Sequence, residues 1–176
     1  DKLKDFILEP AKFFETFGYN PRTEIHSLYK IDKGLSDTHI DINGTVEFTY
    51  LKKIYELCKE NNCELILSLA PFYNNKETGG IYDQLENWAD INNIKYLDYF
   101  DLAEDIDLDV NLDFNDGKHL NYWGAQKITN YFIQFINNNY NFKDHHRDEK
   151  YSLWEFNSVD YSEFDKILDK IEKEME

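Results

Sequence analysis

The sequence predicts an α/β sandwich with parallel strands, present here without its N-terminal part. Three observations carry that expectation. The middle of the chain alternates helix, strand, helix, strand, which is the order of βαβ crossovers. The first strand candidate, "CELILSLAP", is a short apolar run stopped by Pro71, as in a buried parallel strand. Only two strands can be read, whereas a doubly wound sheet has about five.

Residues 1–43 read as an irregular N-terminal connector of a truncated domain. "LKDFILEPAKFFETF" suits one short helix broken at Pro10, "GYNPRTE" is a turn cluster, and "KIDKGLSDTHIDING" is polar and ends at Gly44. Residues 44–140 read as the α/β domain. Its first helix is predicted at 45–61, with Val46, Tyr50, Leu51, Ile54, Leu57 and Cys58 at the spacing of an apolar face. The pair "NN" at 61–62 ends it. A central, fully buried strand is predicted at 63–69. After the loop "FYNNKETGG", a second helix is predicted at 80–92, with Ile81, Leu85, Trp88 and Ala89 on one face. "IKYLDYF" supplies a strand at 94–98, and the last strong helix covers 121–138. Residues 141–176 form a charged tail whose final portion suits a helix with Phe164, Ile167, Leu168 and Ile171 as a thin apolar stripe.

Composition narrows the function. The chain has 176 residues, about one domain. At 41% hydrophobic and 16% aromatic it has apolar surface enough for a core. A formal net charge of −16 repels phosphate backbones, which argues against nucleic acid as a partner and against docking on anionic lipid. No signal peptide and no run of eighteen apolar residues is present. The chain begins in mid-pattern, "DKLKDFILEPAKFF", and reads as a fragment. Cys58 and Cys63 have no His nearby to complete a four-ligand metal site, and the expectation is two buried free thiols, with a disulfide or a metal role as the lesser alternative.

The candidate site is the loop "LDFNDGKHLNYWGAQKIT" ahead of the last helix. Asn121 suits the N-cap of that helix, and Gly124 with Ala125 allows it to approach the sheet closely. Capping does not account for Asp116 and His119. A carboxylate three residues before a histidine, on a tight turn with Gly117 between them, can reach the imidazole Nδ1–H. That contact fixes the tautomer and leaves Nε2 free to take a proton. Loops beyond the C-terminal edge of a parallel sheet are where such folds place chemistry.

The other candidates carry weaker readings. His26 and His39 stand alone in polar connectors. His145 and His146, with Asp144 and Asp148, read as a solvated turn, because adjacent residues rarely converge on one metal ion. The acidic run with carboxylates at 104, 105, 107, 109 and 113 lacks the glycine and the final glutamate of a calcium loop and reads as a solvated face.

The string "DFNDGKHLNYWGAQKIT" resembles the final block of the SGNH (GDSL-like) hydrolases, whose Asp-x-x-His supplies the acid and base of a catalytic triad. It is especially similar to a bacterial subgroup related to teichoic-acid D-alanylation proteins and polysaccharide O-acetyltransferases. "YLKKIYELCKENNCELILSLAPF" resembles the block that precedes the motif in that subgroup, and "DHHRDEKYSLW" resembles its tail. The resemblance covers roughly residues 44–154. It implies a Rossmann-like, flavodoxin-like sandwich, an extracytoplasmic location at the cell envelope, and a Ser–His–Asp mechanism on O-acyl groups with no metal or cofactor. Carried over, His119 is the general base and Asp116 orients it.

The family's nucleophile lies in a Gly-Asp-Ser-like turn after the first strand, and no such turn occurs in this chain. Its Gly and Asn oxyanion blocks are likewise not found. None of the six serines (Ser27, Ser36, Ser68, Ser152, Ser158, Ser162) follows a strand and a glycine. Ser68 reads as a core hydroxyl, and Ser36 has an Asp and a His only as local neighbours. The expectation is therefore the acid–base half of an esterase or O-acyltransferase for cell-envelope polysaccharide. Its nucleophile would lie in a missing N-terminal half, and its partner would be a cell-surface glycan or a membrane acyltransferase. The competing expectation is an inactive accessory module that binds a glycan or a partner acyltransferase.

Overall fold

The computed structural model describes residues 22–28, 30–35, 40–73, 76, 78–145, 147–151 and 173. The terminal stripe around Phe164, as well as Pro10, Ser36, His39 and His146, lies outside the described residues. The chain divides into two compact units, and the mixed α/β unit is Glu24–Gln134.

Helix α1 spans Val46–Glu60, strand β1 Ile66–Leu69, helix α2 Gly79–Ile91, strand β2 Lys95–Asp98 and helix α3 Tyr122–Asn139. The type and order of all five elements agree with the expectation. β1 and β2 pair in parallel, Ile66 opposite Lys95 through Leu69 opposite Asp98, so α2 is the crossover of a βαβ unit.

α1 starts where Thr45 Oγ1 accepts the Phe48 N–H at 3.2 Å. Helices α1 and α2 end in the same way. In α1 the Cys63 N–H donates to Cys58 O at 2.8 Å and the Asn62 N–H to Lys59 O at 3.2 Å. In α2 the Ile94 N–H donates to Ala89 O at 2.8 Å and the Asn93 N–H to Asp90 O at 3.1 Å. Asn62 (φ 52°) and Asn93 (φ 54°) hold the left-handed position that turns the chain from helix to strand. The two "NN" pairs are thus two Schellman caps.

The core is built from Ile42, Phe48, Ala89, Ile94, Leu97, Tyr99, Ile106 and Phe114. Trp88 on α2 lies edge-on to Phe48 at 5.3 Å and to Tyr55 at 5.5 Å, so α1 packs on α2 through Phe48 and Tyr55. This corrects the predicted face of α1. Val46, Tyr50, Ile54 and Leu57 form a second apolar stripe and are exposed. The helix is apolar on two sides, and periodicity selects the richer stripe without knowing which one meets the bulky tryptophan.

Three further expectations are corrected. β1 is half-buried rather than fully buried, with β2 as its one strand partner among the described residues. Ser68, expected as a core hydroxyl, is exposed. The thiols are free, but Cys58 is half-buried and Cys63 exposed. Residues from Glu24 onward cluster with the α/β unit. The His26 N–H donates to Phe114 O at 2.8 Å, and the Asp32 N–H to Phe72 O at 3.1 Å with a parallel bridge between Asp32 and Tyr73. Residues 30–33 therefore run beside the chain as it leaves β1. Backbone pairing of this kind leaves no side-chain periodicity to read. Gly79 marks another close approach, since a Cβ there would stand 2.5 Å from Gly34 O.

Candidate acid–base site

The site begins with a buried, hydrogen-bonded base. Asn121 is 1% exposed, and its Nδ2 donates to Leu112 O at 2.6 Å. Its Oδ1 accepts the Gly124 N–H at 3.2 Å, and its carbonyl accepts the Ala125 N–H at 2.9 Å. Asn121 is therefore the N-cap of α3, as expected, and it also ties the helix to the preceding loop. Gly124 permits close approach, but to the loop rather than the sheet: a Cβ there would stand 2.3 Å from Asp113 O.

Asp113 corrects the reading of the acidic run as a solvated face. Glu104, Asp105 and Asp107 are exposed, but Asp113 is buried. Its Oδ2 accepts from Lys127 Nζ on α3 at 2.6 Å and from the Asp109 N–H at 2.7 Å. Lys127 Nζ also donates to Asp107 O at 2.6 Å. A buried carboxylate needs such partners, and composition cannot distinguish it from its solvated neighbours.

On this base the chain makes a tight loop. Phe114, fully buried, bridges Leu120 in antiparallel fashion, and the Asn115 N–H donates to His119 O at 2.9 Å. Asp116 stands at the turn. Its Oδ1 accepts the backbone N–H groups of Lys118 at 2.8 Å and His119 at 2.9 Å. His119 Nδ1 lies 2.9 Å from Oδ1 and 2.9 Å from Oδ2. An ionised carboxylate only accepts, so Nδ1 carries the proton. The hydrogen bond from His119, followed by that from the Lys118 N–H, holds the Asp116 carboxyl down to about 2 from 3.8. Asp116 therefore stays ionised throughout the range in which an imidazole titrates.

The loop stands at the C-terminal edge of the sheet. The Tyr73 N–H, four residues beyond the end of β1, donates to Gly117 O at 2.9 Å. At the end of β2, Asp98 is buried and takes Lys33 Nζ at 2.7 Å. His119 Nε2 has no hydrogen-bond partner among the described residues, and the imidazole is exposed. Of the serines, Ser27 and Ser68 are described; both are exposed, and neither bonds to His119. His26 is exposed and outside the pair. No group of three or more metal-ligating side chains occurs among the described residues, and none of their helices is long and apolar enough to cross a membrane.

Sequence reasoning found Asp116, His119 and the cap. It missed Tyr73, Asn115 and the Asp113–Lys127 pair. Asn115 is buried, and its Nδ2 reaches Asp116 Oδ2 at 3.4 Å. No family model matches the chain, and no curated protein or solved structure is significantly similar to it.

Proposed function

We propose that this chain carries the acid–base part of an SGNH-type esterase or O-acyltransferase acting on acyl groups of cell-envelope polysaccharide. The observation that supports the reading best is the Asp116–His119 pair. Both carboxylate oxygens lie 2.9 Å from Nδ1, and Nε2 points to no described partner. In this reading Nε2 takes the proton of a serine hydroxyl as that oxygen attacks an ester carbonyl. Asp116 then stabilises the imidazolium, and the same proton passes to the leaving alcohol.

The serine and the oxyanion donors come from a part of the protein outside this sequence. That part also extends the two-strand sheet into a Rossmann-like, flavodoxin-like sandwich. The outward stripe of Val46, Tyr50, Ile54 and Leu57 supports this, since a helix apolar on two sides suits a position between layers. The proposed setting is extracytoplasmic, with a surface glycan or a membrane acyltransferase as partner.

One observation favours a second reading, an inactive SGNH-like module that binds a glycan or a partner enzyme: neither described serine reaches His119. Acetyl-ester hydrolysis by the full-length protein separates the two. The enzyme reading expects turnover that His119→Ala removes. Turnover that survives this substitution contradicts the acid–base assignment, and a full-length protein that turns over no ester and takes no fluorophosphonate label supports the module.

A further inference from the structure

We propose that Cys58 and Cys63 are a thiol pair that closes into a reversible disulfide, clasping the C-terminal cap of α1. The geometry comes from the backbone. In a Schellman cap a backbone hydrogen bond joins the third-last helical residue to the third residue beyond the helix, and a contact between their side chains frequently accompanies it. Here those positions are Cys58 and Cys63, joined by the 2.8 Å bond from Cys63 N–H to Cys58 O across left-handed Asn62.

The twin cap of α2 shows what such positions ordinarily hold. They are Ala89 and Ile94, both buried, so apolar contact secures that turn. At the α1 cap Cys63 is exposed and Cys58 half-buried. Apolar contact gains little there, whereas a covalent bond does not depend on burial. The thiols are free in this structure, with Cys63 Sγ near Asn61 O at 3.7 Å.

The oxidant is a low-molecular-weight disulfide such as oxidised glutathione. The exposed Cys63 thiolate attacks one of its sulfurs, forming a mixed disulfide and releasing one glutathione thiolate. The Cys58 thiolate then attacks Cys63 Sγ and displaces the second. The two thiol protons leave with the two glutathiones, and the two electrons reduce the oxidant. The exposed position makes Cys63 the entry point.

The test incubates the folded protein with glutathione redox buffers, followed by acid quench and intact mass. The folded wild type loses two hydrogens, and trypsin, which cuts after Lys59, releases a Cys58 peptide linked to a Cys63 peptide. Cys58→Ser instead accumulates one glutathione on Cys63. The disulfide is disfavoured by on the order of tenfold or more in urea, because the cap no longer holds residues 58 and 63 side by side. Stable glutathione adducts on wild-type Cys63, an intermolecular dimer, or equal closure in native protein and in urea would each overturn the proposal.

Discussion

Two Asp/His pairs in this chain have the same three-residue spacing and similar exposure, yet they are built differently. In Asp116–His119 the side chains are 42% and 60% exposed, and in His145–Asp148 they are 41% and 38% exposed. In the first pair both carboxylate oxygens stand 2.9 Å from the ring nitrogen. In the second, one oxygen stands at 3.3 Å, and the other accepts the Lys150 N–H at 3.2 Å at the start of a short 3-10 turn. The first loop rests on buried Phe114, Asp113 and Asn121 and is tied to the exit of β1 through Gly117. In the second, the Asp148 N–H donates to His145 O at 3.1 Å within a turn, with Arg147 left-handed at φ 64°. The same spacing thus gives two different geometries, the closer one on a loop seated on buried residues; in the proposed function that seat holds the ring in one orientation.

Under the proposed function, the largest test of that difference is deletion of each imidazole in an ester-hydrolysing protein that contains this chain. His119→Ala should lower ester turnover by on the order of 10⁶, and His145→Ala should leave it unchanged. Equal effects in a steady-state assay would erase the distinction. Asp116→Asn should cost about 10⁴, since the amide stabilises the wrong tautomer, whereas Asp148→Asn should cost nothing measurable.

The next test concerns the anchor. Gly124→Ala puts a methyl group 2.3 Å from Asp113 O, and backbone cannot yield as a side chain tip would. It should destabilise the α/β unit by about 1–3 kcal/mol, as overpacking does, and lower the midpoint of thermal unfolding. An unchanged midpoint would show that α3 is not seated on the Asp113 loop. The smallest effect is in acid. The Asp116 carboxyl is held below its ordinary value of 3.8, at about 2. The stabilisation of that loop should thus be complete above about pH 4 and disappear as the pH falls through about 2. Asp116→Asn should flatten the stability profile within that window, and a profile unchanged there would contradict the bond to His119.

Much of this was legible in the sequence, for identifiable reasons. The elements α1, β1, α2, β2 and α3 follow from periodicity and from the "NN" and Pro71 stops, and all five ranges fall within a few residues of the expectation. The Asp116–His119 contact was readable because the partners share one turn. The buried face of α1 was not, because two apolar stripes compete and tertiary contact with Trp88 chooses between them. Asp113 looked like its solvated neighbours until Lys127, fourteen residues away, was brought to it. The pairing of 30–33 with 72–73 and of Tyr73 with Gly117 runs through backbone groups, which every residue carries alike.

The pairing of Asp116 with His119 is read most directly from the tautomer of the neutral His119 ring by ¹⁵N NMR. With Asp116 holding Nδ1–H, His119 should be the Nδ1-protonated tautomer with Nε2 bare, and Asp116→Asn should abolish that preference. A His119 protonated on Nε2, or a tautomer indifferent to Asp116→Asn, would contradict the account.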